Sequence, residues 1–195
     1  MRIKLLFLVF ILSQVACKEK YTPKPRAFFR IEFPQKEYHW LANEFPYKFK
    51  IPNYSKISAD KYNPDQPNWI NITVPENRAE LHISYYDLEN KTQSNKTQLA
   101  NLMEESRRLA YKHSIKADAI EEQVFMNPGE NVFGLIYRIN GNAASALQFF
   151  LTDSTKHFLR GAFYIREVPN IDSIQPVLDF FEPDIIRLIE TTTWN

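Results

Sequence analysis

Apolar and polar residues alternate along two neighbouring stretches near the middle of the chain. The first runs from Trp69 to Val74. The second runs from Ala79 to Tyr85, where Leu81, Ile83 and Tyr85 fall on one face. Such alternation is typical of half-buried strands, because successive side chains of a strand point to opposite faces of the sheet. The pattern therefore predicts two strands.

The segment before these strands has a weaker pattern. From Phe28 to Pro67 the chain is rich in Pro and Tyr, and short extended pieces lie between turn signals. We expect one or two short strands and ordered loops in this segment.

A helical pattern follows the two strands. From about Ser94 to His113, apolar or small residues recur at spacings of three and four, and charged residues occupy the other side. The stripe consists of Leu99, Leu102, Met103, Ser106, Leu109 and Ala110. This spacing predicts an amphipathic helix.

An antiparallel meander is predicted next. Its strands are Ala119 to Met126, Val132 to Ile139, Ala143 to Thr152 and Phe158 to Arg166. Asn140-Gly141-Asn142 separates the middle two, and Asn-Gly readily supplies the positive backbone angles that a tight hairpin requires.

The chain ends in a predicted helix from about Ser173. Pro183 cannot donate the helical hydrogen bond and disfavours helical geometry at Glu182, so we predict an interruption there. The order of strands, helix, strands and helix predicts an α+β domain, in which helices cover a mostly antiparallel sheet. The same order resembles the Mog1/PsbP-like α/β sandwich.

The first sixteen residues predict an export signal. The basic Arg2 and Lys4 precede eight consecutive apolar residues, Leu5 to Leu12. This is the charged-then-apolar order of a secretory signal. Eight apolar residues are too few to cross about 30 Å of hydrocarbon as a helix, so we expect a signal peptide and not a membrane span.

Cys17, the only cysteine of the chain, is the predicted lipid attachment site. The small residue Ala16 precedes it, and a thiol at this place can take a thioether-linked diacylglycerol before cleavage. Gln14 departs from the usual Leu three places before the cysteine. Ordinary signal cleavage, or a cysteine without function, is the alternative.

The cysteine position divides the chain into three predicted parts. Residues 1–16 are the signal peptide, residues 17–27 are the lipidated cysteine and a proline-stiffened tether, and residues 28–195 are a single globular domain. The acyl chains on Cys17 would hold the domain on a membrane surface, since each buried methylene contributes about 0.8 kcal/mol.

The charge balance excludes one class of partner. Arg2 and Lys4 leave with the signal, so 22 of the 24 basic residues remain against 23 acidic residues. A net charge near zero gives no electrostatic argument for binding nucleic acid.

Sequence motifs for catalysis and for cofactors are missing. The four glycines are too few and too scattered for a phosphate-binding loop or a dinucleotide fingerprint. The four histidines include no H-E-x-x-H pair, and no G-x-S-x-G elbow occurs. We therefore predict no cofactor, no metal site and no catalytic residue.

Three residues are candidates for contact with a partner. Lys112 and His113 lie at the end of the predicted helix, where cations suit the negative end of the helix dipole. Arg160 is an arginine within a predicted strand. The alternative for His113 is a hydrogen bond to a carbonyl at the helix end. The alternatives for Arg160 are a solvent-facing charge or a contact with Asp153.

Several long strings resemble one family, the gliding-motility lipoproteins GldD of Bacteroidota. They are Pro25 to Pro34, Ser106 to Ile120, Gly141 to Ser145, Gln148 to Ser154 and His157 to Ala162. The resemblance covers nearly the whole mature sequence. It implies a cell-envelope lipoprotein needed for gliding and, through that machinery, for type IX protein secretion.

The leading hypothesis is a non-enzymatic accessory protein that contacts and stabilises envelope proteins of the gliding and secretion apparatus. Lys18 follows the lipidated cysteine where an inner-membrane retention signal has Asp, so we expect the outer membrane, with the domain facing the periplasm.

Two other classes remain open. A glycan or peptidoglycan binder is suggested by Trp40, Trp69, Trp194 and the ten tyrosines, which could stack on sugars. An envelope hydrolase would need His113 or His157 to converge with a carboxylate and a nucleophile.

Two short sites also resemble those that Bacteroidota use for O-glycosylation. They are Asp153-Ser154-Thr155 and Asp172-Ser173-Ile174. Roles in a turn and in a helix cap explain Ser154 and Ser173 equally well.

Overall fold

The computed structural model describes residues 31–89, 94–167 and 170–195. The predicted signal peptide, Cys17 and the tether lie outside the described residues. No helix in the described ranges is long and apolar enough to span a membrane.

A seven-stranded antiparallel sheet forms the centre of the domain, with the strand order β4-β5-β6-β10-β9-β8-β7. Its strands are β4 Lys56–Ala59, β5 Ile70–Val74, β6 Ala79–Asp87, β7 Ala117–Asn127, β8 Val132–Gly141, β9 Ser145–Thr152 and β10 His157–Ile165. The predicted meander is therefore confirmed. The hairpin loop is longer than a tight Asn-Gly turn, because Gly141 alone takes a positive φ and β9 starts only at Ser145.

Two small sheets flank the main one. Strand β1, Tyr38–Trp40, pairs with β3, Lys50–Pro52, and β2, Tyr47–Lys48, pairs with β11, Thr193–Trp194. The segment before β5 thus holds four strands, more than the one or two expected. Strands this short bury too few residues to leave a clear alternation in the sequence.

Helix α2, Ile171–Glu190, covers one face of the sheet. Its apolar residues pack with those of the central strands into the larger hydrophobic core. Core members on the helix are Val177, Phe181, Ile185, Leu188 and Ile189. This face is the one that the alternation of Leu81, Ile83 and Tyr85 predicts.

Helix α1, Asn95–Tyr111, packs on the opposite face, against β9 and β10. Ala110, Leu99 and Leu102 of the helix meet Phe150 and Phe158 of the sheet in a smaller core. A short 3-10 turn, Lys112–Ile115, continues the helix toward β7. The α+β class and the covering of an antiparallel sheet by helices are both confirmed.

The predicted interruption at Pro183 is wrong, since α2 continues through both Pro176 and Pro183. A proline removes one helical hydrogen bond. At Pro183 the carbonyl without its helical donor is that of Asp179, and Lys36 Nζ donates to the adjacent carbonyl oxygen of Phe180 at 2.5 Å. The apolar face of α2 stays buried on both sides of the proline, and packing outweighs the local preference.

Candidate functional site

The α1 face of the sheet holds a polar groove. We use this name for an open cavity with a volume of about 450 Å³. It is lined chiefly by Glu80, His82, Ser84, Arg160, Tyr164 and Arg166. Alternation along β6 places the first three on this face, and the antiparallel partner β10 contributes the next two. In the pairing register, Arg160 lies opposite Ser84 and Tyr164 lies opposite Glu80.

A small residue gives the polar groove its depth. Ala162 lies opposite His82 on β6 and opposite Gln148 on β9. One row of side chains therefore crosses the sheet from Asn71 on β5 through His82 and Ala162 to Gln148. The side chain of Ala162 is too short to fill the space that its neighbours enclose.

The acidic groups of the polar groove are already partnered. Glu80 is almost fully buried and forms an ion pair with Arg166, and His82 Nε2 lies 3.5 Å from its other oxygen. Asp60, at the rim, accepts hydrogen bonds from Asn63 Nδ2 at 3.0 Å and from the backbone N–H of Tyr62 at 2.8 Å.

Arg160 has no such partner. Its Nη2 donates to Gln148 Oε1 at 2.7 Å, and its buried Nε has no acceptor in the part of the chain that the structure describes. Burial lowers the pKa of the Arg160 guanidinium, and the nearby Tyr164 and Glu105 oppose this shift. Arg160 is thus half-buried at the groove, and it makes no hydrogen bond or ion pair with Asp153 among the described residues.

Unpartnered polar atoms are concentrated on the sheet face that holds the polar groove. Within the described ranges, four buried side-chain atoms lack a hydrogen-bond partner, and three of them are Asn71 Oδ1, Gln148 Nε2 and Arg160 Nε. Buried polar groups are almost always hydrogen-bonded in native proteins.

His113 is half-buried in the 3-10 turn that follows α1, and Lys112 in the same turn is exposed. Burial, and then the charge of Arg160, lower the pKa of His113. The structure thus brings His113 and Arg160 together, as two of the three candidates. The His113 ring makes no hydrogen bond with any described residue, so the predicted carbonyl contact is absent there.

His157 lies away from the polar groove. Its Nδ1 is 2.7 Å from Tyr85 Oη, and its ring stacks on Trp194 at 5.0 Å. Burial lowers the pKa of His157 although Asp153 and Asp87 oppose the shift. Asp153 itself closes the turn after β9, because its Oδ1 accepts the backbone N–H groups of Thr155, Lys156 and His157.

These contacts bear on the two possible glycosylation sites. The carboxylate of Asp153 holds the turn in which Ser154 is exposed at a φ of 67°. Ser173 lies in the first turn of α2, where its backbone N–H donates to Asn170, the helix cap. Ser173 is therefore not the cap that the sequence suggests, and modification of either serine stays a prediction.

The three tryptophans differ in whether their rings are available to stack on a sugar. Trp69 Nε1 donates to Tyr85 O at 2.7 Å, and Trp194 Nε1 donates to Asn131 O at 3.1 Å, so both serve packing. Trp40 is 44% exposed, and the Nζ atoms of Lys48 and Lys50 lie 5.2 Å and 5.1 Å from its ring.

Sequence reasoning missed most residues of the polar groove. Glu80, His82 and Ser84 were visible as the polar half of an alternating strand, which ordinarily means solvated surface. In the described residues no cluster of three or more His, Cys, Asp or Glu side chains could hold a metal ion.

A family comparison identifies the chain. The model of the family described as "Gliding motility lipoprotein GldD" matches residues 18–194, beginning directly after Cys17. The chain belongs to the GldD family. The resemblance in the sequence is confirmed, and GldD membership supports a lipid-anchored envelope protein with a role in gliding motility.

Other comparisons add less about this GldD chain. No curated protein matches the sequence significantly. The fold is similar to the solution structure of cyanobacterial PsbP (CyanoP) from Synechocystis sp. PCC 6803, with a TM-score of 0.46 and 12% identity, covering 83% of this chain and 95% of that chain.

Proposed function

We propose that this GldD-family chain is a non-enzymatic accessory lipoprotein, in which the polar groove binds another protein of the gliding and type IX secretion apparatus. The Cys17 lipid holds the domain on the outer membrane, facing the periplasm. Lys18 supports this location, because the residue after the lipidated cysteine is not the Asp of an inner-membrane retention signal.

Arg160 is the observation that carries the proposal. Arg160 is half-buried, and its Nε atom is enclosed without an acceptor among the described residues. A partly desolvated guanidinium is normally compensated by a carboxylate. Glu105 of α1, the acid whose charge acts on Arg160, already accepts two hydrogen bonds from Arg108, at 2.7 Å and 2.6 Å. A second protein would supply the carboxylate that Arg160 lacks among the described residues.

The arrangement of histidines supports a non-enzymatic role. A hydrolytic site needs a nucleophile hydrogen-bonded to a base that a third group orients. Among the described residues, the His113 ring makes no hydrogen bond, and the His157 ring bonds to Tyr85 Oη and to no carboxylate. His82 has Glu80 and Ser84 on its own strand, but no hydrogen bond joins His82 to Ser84 among the described residues, and Glu80 is engaged by Arg166.

Replacing Cys17 tests the anchored accessory role. In cells that carry Cys17→Ser, we expect the protein to leave the membrane fraction and gliding to be lost, because a soluble domain is no longer held beside its partners. Fractionation, colony spreading and the mass of the mature chain are measured together. The control is Gln14→Leu, which restores the common lipobox and should keep both membrane attachment and gliding.

Full gliding by a released, correctly cleaved Cys17→Ser protein would contradict the proposed function. Separation of inner and outer membranes on a density gradient tests the location, since wild-type protein in the inner-membrane fraction would exclude the outer membrane.

A glycan or peptidoglycan binder is the second candidate, and the exposed ring of Trp40 is the observation that favours it. Saturable retention of the lipoprotein on murein sacculi, abolished by Trp40→Ala, would support this alternative over a protein partner.

A further inference from the structure

One aromatic ring and two lysines form an exposed patch on the small sheets. We use the name basic-aromatic patch for Trp40, Lys48 and Lys50. Trp40 lies opposite Lys50 in the pairing of β1 with β3, and it is 44% exposed. The Nζ atoms of Lys48 and Lys50 lie 5.2 Å and 5.1 Å from the centre of the Trp40 ring. The structure thus places two ammonium groups beside an exposed indole.

Alternation along the segment from Tyr47 to Ile51 turns both lysines outward. Tyr47, Phe49 and Ile51 are buried in the larger core. Successive side chains of an extended chain point to opposite sides, so Lys48 and Lys50 lie on the outer side of this segment. The larger core lies on the α2 face of the main sheet, whereas the polar groove lies on the α1 face. A surface bound at the basic-aromatic patch would therefore leave the polar groove free.

The charge of the basic-aromatic patch is positive. Neither Lys48 nor Lys50 forms an ion pair with a carboxylate in the part of the chain that the structure describes. Tryptophan is enriched where a membrane meets water, because its ring is apolar and its N–H group is polar. Lysines near a membrane surface are attracted to anionic headgroups. The basic-aromatic patch therefore complements the surface of an anionic bilayer.

A stacked sugar fits the basic-aromatic patch less well than a lipid surface does. A sugar stacks on the face of an aromatic ring, and the ammonium groups of Lys48 and Lys50 already lie over the ring of Trp40. A sugar would have to displace them. A headgroup phosphate can instead bind the ammonium groups where they are, while the exposed part of the ring enters the bilayer interface.

The chain before the globular domain keeps a bilayer within reach. The fifteen steps from Cys17 to Glu32 span at most about 50 Å, and a domain of this size is about 40 Å across. Basic segments beside a lipid anchor are attracted to anionic lipids. Residues 18–31 have five basic residues, Lys18, Lys20, Lys24, Arg26 and Arg30, and one acid, Glu19. Because an anchor holds the bilayer at a high effective concentration, a weak contact of the domain is enough.

We propose that the basic-aromatic patch binds the anionic phospholipid surface of the membrane that holds the acyl chains. Lys48 and Lys50 bind headgroup phosphates, and the ring of Trp40 enters the interface. This inference rests on the lipid anchor of the proposed function. It adds a second contact with the same bilayer, which orients the domain and leaves the polar groove accessible to another protein.

Fluorescence of the acylated protein in vesicles tests the proposal. The vesicles contain phosphatidylcholine alone, or phosphatidylcholine and phosphatidylglycerol in equal parts, and bromine on the phosphatidylcholine acyl chains quenches any tryptophan that they contact. The chain has two other tryptophans, so the difference between wild-type protein and Trp40→Phe isolates the signal of Trp40. We expect quenching of Trp40 in the vesicles with phosphatidylglycerol, weaker quenching in the neutral vesicles, and loss of the difference at high salt, which screens exposed charges.

Matched charge variants locate the contact. Lys48→Gln combined with Lys50→Gln should reduce the quenching to the level in neutral vesicles, because each lysine near an anionic surface strengthens binding by about fivefold. The control combines Lys96→Gln with Lys116→Gln. It removes the same charge from exposed lysines in the first turn of α1 and after the 3-10 turn, and it should leave the quenching unchanged. Circular dichroism checks folding. If the Lys48 and Lys50 variant is unfolded, the salt dependence and Trp40→Phe decide.

Equal quenching in neutral and anionic vesicles, or no quenching that Trp40→Phe removes, would overturn the proposal. Retention on murein sacculi that Lys48→Gln and Lys50→Gln abolish would also overturn it, because the basic-aromatic patch would then bind the cell wall. The mass of the reconstituted protein shows whether acyl chains are present. An acylated protein without the Trp40 contact refutes this inference alone, whereas a mature chain without acyl chains refutes the anchor in the proposed function.

Discussion

Replacing Asp184 by alanine is expected to destabilise the domain by about 3 to 5 kcal/mol, the cost of breaking a buried ion pair by removing one partner. Asp184 is 4% exposed on α2. Its carboxylate accepts from Lys36 Nζ at 2.8 Å, from Tyr38 Oη at 2.6 Å and from Tyr54 Oη. Burial, followed by the bond to Asp184, raises the pKa of Tyr38 to about 12.

The substitution leaves an ammonium group and two hydroxyl groups without their acceptor. It also weakens the attachment of the segment around β1 to β3 to α2, because all three donors reach Asp184 from more than a hundred residues away in the sequence. Urea denaturation measures the loss of unfolding free energy.

Asp179→Ala is the matched control for Asp184→Ala. Asp179 is exposed on the same helix, and its side chain accepts from Gln175, at 2.6 Å, and from no other described residue. Its removal should change the free energy of unfolding by less than about 0.5 kcal/mol. Equal effects of the two substitutions would show that Asp184 does not fasten the N-terminal strands.

Gly134→Ala should be the second large effect, a loss of about 3 kcal/mol. A Cβ at this position would lie 2.0 Å from the carbonyl oxygen of Phe150 on the neighbouring strand β9. Backbone within a paired sheet cannot move aside cheaply, and overpacking of a filled interior costs about 1–3 kcal/mol or more. The midpoint of urea denaturation reports the change.

Gly129→Ala provides the comparison for Gly134→Ala, since its Cβ would meet only Asn127 Oδ1 at 3.5 Å. We expect a change near zero there. If Gly134→Ala were as stable as Gly129→Ala, the close approach of β8 to β9 would be wrong.

Local pattern predicted the elements whose faces differ strongly in polarity. The strands around Leu81 and Ile83, the meander and helix α1 all follow from spacing alone, because burial on one face imposes a period on the sequence. Pro183 shows where local preference fails, since α2 gains enough from packing Phe181 and Ile185 on the core to continue through it.

Contacts between residues far apart in the sequence could not be predicted from local patterns. Lys36 and Asp184 are 148 positions apart, and no local periodicity connects them. The polar groove could not be predicted for a related reason. The alternation predicts which side chains of β6 lie on its polar face. It does not predict whether α1 covers that face, because this depends on how the helix packs. Arg160 was a candidate by residue type alone. Only the structure shows that its hydrogen-bond partner among the described residues is Gln148 and not a carboxylate.

The central claim is that the polar groove is where this GldD-family lipoprotein meets its partner. A photo-crosslinking amino acid in place of Tyr164 would lie in the polar groove. The same amino acid in place of Met126, which is 67% exposed on β7, would lie three strands away on the same sheet.

Photo-crosslinking from these two positions in gliding cells is the most direct measurement. We predict a discrete crosslinked envelope protein from position 164, which Arg160→Gln abolishes and which is absent from position 126. No crosslinked protein from position 164 above the level at position 126, in cells that glide normally, would contradict this account.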